Sequence, residues 1–401
     1  MDTKDTATAQ GGTGASLPES VKQLGWISFF TDIASEMVYP VVPLFLVASL
    51  GAPATALGAI EGVAEAVVNI MKGLSGLSSD RNGRRIPYIK AGYGLGVLSK
   101  PLLALAFAWP LVFVARCVDR LGKGLRTTAR DALVADAVDC RMAGRAYGFH
   151  RMMDTTGAIL GALAALLLLH YLPASYRTIF LLAALPGAVA VGLTFRLREV
   201  RLPERGRARP PLRLAYQGLP PRYWRTLVPM ALFAFANSSD AFLLLRAKNL
   251  GLSDSGVVLA YVLFNLTYAA SAYPLGALSD RCGRWRMMLA GWGLYAGTYL
   301  GFASVGAGGI WWLFPVYGVY MGLTEGVGKA LIAMQAPPER RGTAIGFFQM
   351  CVGIMTMAGS LAAGWLWDWL GSAAPFRFGG GMALAALLAV LVLAPWRGNT
   401  A

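Results

Sequence analysis

The chain has 401 residues, 56% hydrophobic and only 14% charged, with a formal net charge of +15. A soluble protein carries about 25% charged residues, so a soluble enzyme, a disulfide scaffold and a disordered chain are excluded and a polytopic membrane protein remains. Four scattered cysteines (Cys117, Cys140, Cys282, Cys351) without a CxxC pair or companion histidines argue against a metal site and against a disulfide framework.

The first residues are polar and lack the apolar core of a signal peptide, which predicts a disordered cytoplasmic tail over 1–23. Apolar stretches then predict spans 1 to 12 at 24–49, 54–78, 88–107, 110–134, 146–169, 177–195, 227–247, 255–277, 287–306, 310–334, 343–367 and 378–396. Each is near the roughly 20 residues that cross a hydrocarbon core. The longest connection, 196–226, holds nine arginines from Arg196 to Arg225 and five prolines. It reads as a basic cytoplasmic linker, in contact with anionic lipid, between a six-helix bundle at 24–195 and another at 227–396. A short tail, 397–401, follows.

Charge fixes the expected orientation. Lys4 and Lys22, the cluster Arg81, Arg84, Arg85 and Lys90, the pair Arg141 and Arg145, the linker, the cluster Arg281, Arg284 and Arg286, the pair Arg340 and Arg341, and Arg397 all fall on one side. The opposite connections hold only Arg177 and Arg377. By the positive-inside rule both termini are cytoplasmic. Because the basic residues are divided among separate places, a nucleic-acid partner is not expected.

The halves repeat. Gly76-Leu-Ser-Ser-Asp80-Arg81-Asn-Gly83-Arg84-Arg85 after span 2 matches Gly276-Ala-Leu-Ser-Asp280-Arg281-Cys-Gly283-Arg284-Trp285 after span 8, offset by 200. Further on, Gly144, Ala146, Gly148, Phe149, Gly161 and Leu163 match Gly342, Ala344, Gly346, Phe347, Gly359 and Leu361, offset by 198. So small a drift over that interval indicates a duplicated six-helix unit.

The Gly76-x-x-x-Asp80-Arg81-x-Gly83-Arg84-Arg85 segment resembles the loop 2–3 signature of the major facilitator superfamily and recurs in weaker form in loop 8–9. Arg116-Cys-Val-Asp119 is similar to the span-4 arginine motif, with Asp and Arg where Gln and Gly are usual. Gly157-Ala-Ile-Leu-Gly161-Ala162 resembles the span-5 motif of proton-driven antiporters, with Ala162 in place of proline. The resemblance implies an all-α integral membrane fold of twelve transmembrane helices in two pseudo-symmetric six-helix bundles. It implies a multi-pass transporter of the inner or plasma membrane, nearest in motifs to proton-coupled drug or metabolite antiporters. It also implies a cytoplasmic gate at Gly76, Asp80, Arg81, Gly83 and Arg84, with Asp280, Arg281, Gly283 and Arg284 as its counterpart.

Charges inside spans are costly, about 2.5–3.5 kcal/mol each on insertion scales, so they should face a cavity or a partner. Spans 6, 9 and 12 carry none between their ends and span 3 has one, Lys100; spans 1, 2, 4, 5, 7 and 10 hold nearly all the rest. The superfamily places spans 3, 6, 9 and 12 outside, in agreement. Helical spacing groups Asp32 with Glu36, Glu61 with Glu65, Asn69 and Lys72, Asp119 with Lys123 below Arg116, His150 with Asp154, and Glu325 with Lys329; Asp240 stands on span 7.

A buried Glu close to a basic group can exchange a proton near neutral pH, because desolvation and the neighbouring charge pull its titration in opposite directions. The candidate substrate and proton-coupling residues are therefore Asp32, Glu36, Glu61, Glu65, Arg116, Asp154, Asp240, Glu325 and Lys329. Intrahelical pairs Asp119–Lys123 and Glu325–Lys329 are the structural alternative. The expected activity is alternating-access transport of a small polar or amphiphilic organic solute, with protons as coupling ion, membrane lipids as surroundings, no cofactor and a monomeric working unit. A divalent-metal carrier using Asp32, Glu36, Glu61 and Glu65 is the second reading, opposed by Arg116, Lys72 and Lys100. No nucleophile–base pair supports an enzyme; Ser238-Ser239-Asp240 is far in sequence from His150.

Overall fold

A computed structural model of the chain describes residues 17–138, 143–199, 219–335 and 341–393. The core of the basic linker, 200–218, lies outside the described residues, as do Arg141, Arg340 and Arg397 and the side chains of Asp80, Arg81, Arg145, Asp280, Lys329 and Arg341.

The described residues are helical, with no strand. Span 1 is two helices, α1 (Glu19–Val38) and α2 (Val41–Ala48). The break falls at Tyr39–Pro40, where proline lacks the amide that would continue the ladder. Spans 2 to 6 are α3 (Ala54–Asn82), α4 (Ile86–Ala104), α5 (Trp109–Asp136), α6 (Ala143–Tyr171) and α7 (Tyr176–Thr194). Span 7 is again two pieces, α8 (Pro221–Ala236) and α9 (Ala241–Asn249). No proline interrupts it; Asn237-Ser238-Ser239-Asp240 does, because short polar side chains compete for backbone hydrogen bonds. Spans 8 to 12 are α10 (Asp254–Cys282), α11 (Arg284–Ser304), α12 (Ala307–Met334), α13 (Arg341–Leu370) and α14 (Ala374–Leu393). Helix α10 runs unbroken through Pro274.

Eight of these rods are long and apolar enough to cross a membrane, the α1–α2 and α8–α9 pairs each counting as one. The four others are α4, α5, α11 and α12. The polarity of α5 is turned inward, while large apolar side chains such as Leu167, Leu185, Leu388 and Val392 are exposed on the outer surface. Charge inside and hydrocarbon outside is the pattern that lipid as solvent requires.

The repeat seen in sequence has a packing counterpart. A Cβ on Gly161 of α6 would lie 2.5 Å from the Ile33 carbonyl of α1, and one on Gly359 of α13 would collide with the Phe235 carbonyl of α8. Close backbone approach of that kind holds helices together where lipid supplies no hydrophobic drive. Both breaks, at Pro40 and at Asn237–Asp240, fall on the far-face side of these crossings.

Alternation of the rods defines two faces: the terminal face, bearing the start of α1 and the end of α14, and the far face, bearing Ala48, Ala54, Tyr176, Asn249 and Leu370. The halves meet along α3 and α13, where Gly58 and Gly62 of α3 press on the Ser360 and Met357 carbonyls. They meet again where α6 packs on α10 and α2 on α9.

Candidate functional site

The charged core of the N-terminal half is built from α1, α3, α4 and α5. Arg116 forms a two-pronged pair with Glu61, Nε to Oε1 and Nη2 to Oε2 both at 2.8 Å. The two residues are 3% and 6% exposed, so each charge depends on the other rather than on water. The fork geometry of guanidinium on carboxylate is the strongest arrangement available to such a pair. One turn along α5, Asp119 accepts from Lys100 at 2.7 Å and from the Ser99 hydroxyl at 3.2 Å. Arg116 and Arg120 stand 3.9 and 4.0 Å from Asp119. Tyr39, at the break in span 1, lies under both guanidiniums, 5.7 and 6.0 Å from ring centre.

Asp119 therefore pairs across helices with Lys100, and not along its own helix with Lys123. Lys100 is 3% exposed and points inward from α4, a span that charge counting placed on the outside. A cavity beside this network is lined by Asp32, Glu36, Tyr39, Arg120, Lys123 and Arg126 among others.

A second network runs through α5, α1 and α6 nearer the terminal face. Arg130 donates to the Ser28 hydroxyl at 2.9 Å, Ser28 meets His150 Nε2 at 3.0 Å, and His150 Nδ1 faces Asp154 at 3.3 Å. His150 is thus a buried link between Ser28 and Asp154. Ser28 itself carried no sequence signal beyond being a small polar residue in an apolar run.

Four further sequence-selected carboxylates meet tyrosines or an amide side chain. Glu36 of α1 accepts from the Tyr261 hydroxyl of α10 at 2.8 Å, a bond between the halves. Asp240, at the break in span 7, accepts from Tyr317 at 2.6 Å, and Glu65 accepts from Asn69 at 2.9 Å. Glu325 is exposed and accepts from Tyr268, which also takes a bond from Arg151 at 3.1 Å. The site residues thus divide: Glu36, Glu61, Arg116 and Asp32 gather around the N-terminal core, Asp154 lies in the Ser28 network, Asp240 is in the other half, and Glu325 sits between halves. Among the described residues, no three His, Cys, Asp or Glu side chains converge as a metal would need, and Glu61 is committed to Arg116.

The C-terminal half mirrors the helices but not the charge. Its centre is a tyrosine box of Tyr295, Tyr299, Tyr317 and Tyr320, each at most 2% exposed, with Phe233 stacked on Trp292 at 4.5 Å. The spacing of Tyr295 with Tyr299 and of Tyr317 with Tyr320, four and three apart, is the sequence signal for this box, and it carries no charge.

At the terminal face, Gly83 takes φ +62° and Gly283 φ +93°, the left-handed region where glycine is tolerated best. Gly76 packs on Thr128 of α5. Arg84 and Arg281 are exposed, while Arg284 meets the Met334 sulfur. Arg85, read from sequence as a mere orientation signal, joins three elements: its guanidinium reaches Ser79 at 2.8 Å and Asp136 at 3.5 Å. Its amide and that of Ile86 donate to Glu199, which caps α4.

At the far face the halves are joined by side chains. Asp368 of α13 accepts from the amides of Ala54 and Thr55 at 2.9 and 2.8 Å and from the Thr55 hydroxyl. A carboxylate from one half thereby caps the first turn of α3 in the other, whose own N-cap, Pro53, supplies no side chain. Tyr176 donates to Asp254 at 2.5 Å, again between halves.

A family model described as the Major Facilitator Superfamily matches residues 24–247 and 227–399. An uncharacterized MFS-type transporter of Methanocaldococcus jannaschii is 31% identical over 384 residues, 94% of this chain and 95% of that protein. The multidrug resistance protein MdtH of Photorhabdus laumondii is 24% identical over 349 residues, 83% of this chain and 82% of that one. Two solved structures share the fold: the nucleoside transporter NupG, at TM-score 0.76 and 13% identity over 94% of this chain and 99% of that one, and the POT family transporter PepTSo, at TM-score 0.80 and 14% identity over 96% and 100%. With its two matched halves on a twelve-span helical frame, the chain belongs to the major facilitator superfamily and is a multi-pass membrane protein of the secondary-transport class.

Proposed function

We propose that the protein carries a small polar or amphiphilic organic solute across the inner or plasma membrane by alternating access, coupled to protons. In this reading both termini are cytoplasmic and the working unit is a monomer. The basic linker 196–226 joins bundles 24–195 and 227–396, and the far face is the external one. The observation that carries the reading is the charged network Glu61–Arg116–Asp119–Lys100, buried at the centre of a lipid-facing bundle and opening onto a cavity. Charges this costly to insert are retained where a solute or an ion must be handled. The names of the relatives, a multidrug resistance protein among the sequences and nucleoside and POT transporters among the structures, support an organic cargo over a metal.

In this mechanism the far face is held shut by Asp368 on α3, Tyr176 on Asp254 and Tyr261 on Glu36. Opening it requires all three to part. Glu36 sits at the junction of cavity and interface, so a proton arriving on its carboxylate changes what the Tyr261 hydroxyl can donate to. That links proton occupancy to the contact between halves without moving the buried Arg116 pair.

The test is transport by purified protein in proteoliposomes, with solutes presented against a gradient and an imposed pH difference. Accumulation driven by the pH difference, and weakened in Glu36→Gln, is expected. A rate that ignores the pH difference in wild type and in Glu36→Gln, Glu65→Gln and Glu325→Gln alike would remove proton coupling from the account.

A further inference from the structure

Helix α5 carries five cations on or beside one face. Arg116, Arg120, Lys123 and Arg130 follow at steps of four, three and seven residues, and Arg126 lies beside them. Four of these, Arg116, Arg120, Lys123 and Arg126, line the cavity together with Lys100 of α4.

Two of the five lining cations have close carboxylate partners: Arg116 holds Glu61 and Lys100 holds Asp119. Among the described residues the other three do not. There Arg120 reaches only Asp119, already taken by Lys100, at 4.0 Å. Arg126, 5% exposed, rests on the Tyr93 ring at 4.7 Å. Among the described residues Lys123 has no carboxylate within 4.0 Å.

Asp32 and Glu36 face the same cavity, but neither comes within 4.0 Å of a cation among the described residues, and Glu36 is engaged by Tyr261. Glu65 and Lys72 on α3 add one charge of each sign. Three incompletely paired cations thus stand against two carboxylates, and positive charge remains in surplus with both carboxylates ionised. Where the lining is buried, as at Arg126, that surplus is costly until an anion fills it.

We propose that the cavity binds a small organic anion, its carboxylate or phosphate group seated among Arg120, Lys123 and Arg126. Two planar forks and one flexible ammonium suit an acid group with several oxygens. The body of the solute then lies toward Tyr39 and Tyr261, whose rings stand 5.6 Å apart across the boundary between the halves. This names the solute class for the transport reading and rests on that reading for passage across the membrane, though not for binding.

The experiment is a thermal-shift and calorimetric titration of the full-length protein in detergent. The probes are 2-oxoglutarate and benzoate as carboxylates, glycerol 3-phosphate as a phosphate monoester, and tetraphenylphosphonium as an organic cation. At least one anion is expected to bind, with affinity falling about tenfold or more in Lys123→Gln, as loss of a charge-assisted contact predicts, and recovering in Lys123→Arg. Lys123 is exposed, so the substitution removes little packing; Arg120→Gln serves as the second probe of the same seat. The carboxylate and phosphate arms separate the two acid types. Stabilisation by tetraphenylphosphonium alone, lost in Asp32→Asn, overturns the proposal, as does anion binding unchanged in both Lys123→Gln and Arg120→Gln, or no binding by any anion at millimolar concentration. Anion binding that depends on Lys123 without accumulation in proteoliposomes would uphold this site and refute the transport reading, so the two fail separately.

Discussion

Replacing Glu61 with Gln tests whether the buried pair is a closed electrostatic unit. Glu61 and Arg116 are 6% and 3% exposed and joined by two bonds of 2.8 Å. Removing one partner of a buried pair typically costs about 3–5 kcal/mol, because the surviving charge keeps its desolvation penalty. Asp119 stands 3.9 Å from Arg116 and takes up part of that charge, which puts the expected loss near the lower end, about 3 kcal/mol. Replacing both residues, Glu61→Gln with Arg116→Met, removes the orphan as well and should recover most of the stability. The assay is equilibrium unfolding in mixed micelles of mild and denaturing detergent, run as a double-mutant cycle. A Glu61→Gln variant within about 0.5 kcal/mol of wild type, or a double variant less stable than either single one, would refute the reasoning.

Two further outcomes follow from the packing. Asp368→Ala removes the cap that α13 places on α3; because Asp368 is exposed, the loss is discounted to about 1 kcal/mol, about a fivefold shift toward far-face opening. A cysteine placed at Ala52 in a background lacking the native cysteines should then be labelled about fivefold faster from that side, and an unchanged rate would show that the cap does not hold the face shut. Gly161→Val and Gly359→Val should each destabilise the protein by about 1–3 kcal/mol through overpacking against the Ile33 and Phe235 carbonyls, read by thermal unfolding; equal tolerance of valine at both would contradict the close crossings.

The architecture was largely legible in the residues. Apolar lengths counted the spans, the Asp80 and Asp280 segments exposed the duplication, and a proline stands at the break in span 1. The break in span 7 was less visible, since Asn237-Ser238-Ser239-Asp240 interrupts a helix by competition for backbone groups and not by a missing amide.

Helical spacing also placed Glu61, Arg116 and Asp119 on inward faces, because a charge in a lipid-bound helix has nowhere else to go. The partners were not readable. Spacing suggested Asp119 with Lys123, four apart on one helix, whereas Asp119 meets Lys100 of α4 and Arg116 meets Glu61, 55 residues away. Spacing along one helix tells only which face a side chain occupies. Which opposing side chain it touches depends on the rotation and depth of the neighbouring helix, and those are set by glycine crossings and core packing throughout the bundle. For the same reason Lys100 turned inward from a span whose composition looked peripheral, and Tyr261 and Asp368 became links between halves only when the two bundles closed on each other. Sequence alone determined that this chain is a duplicated, charge-cored membrane bundle; tertiary structure decided which charges are paired and which remain available.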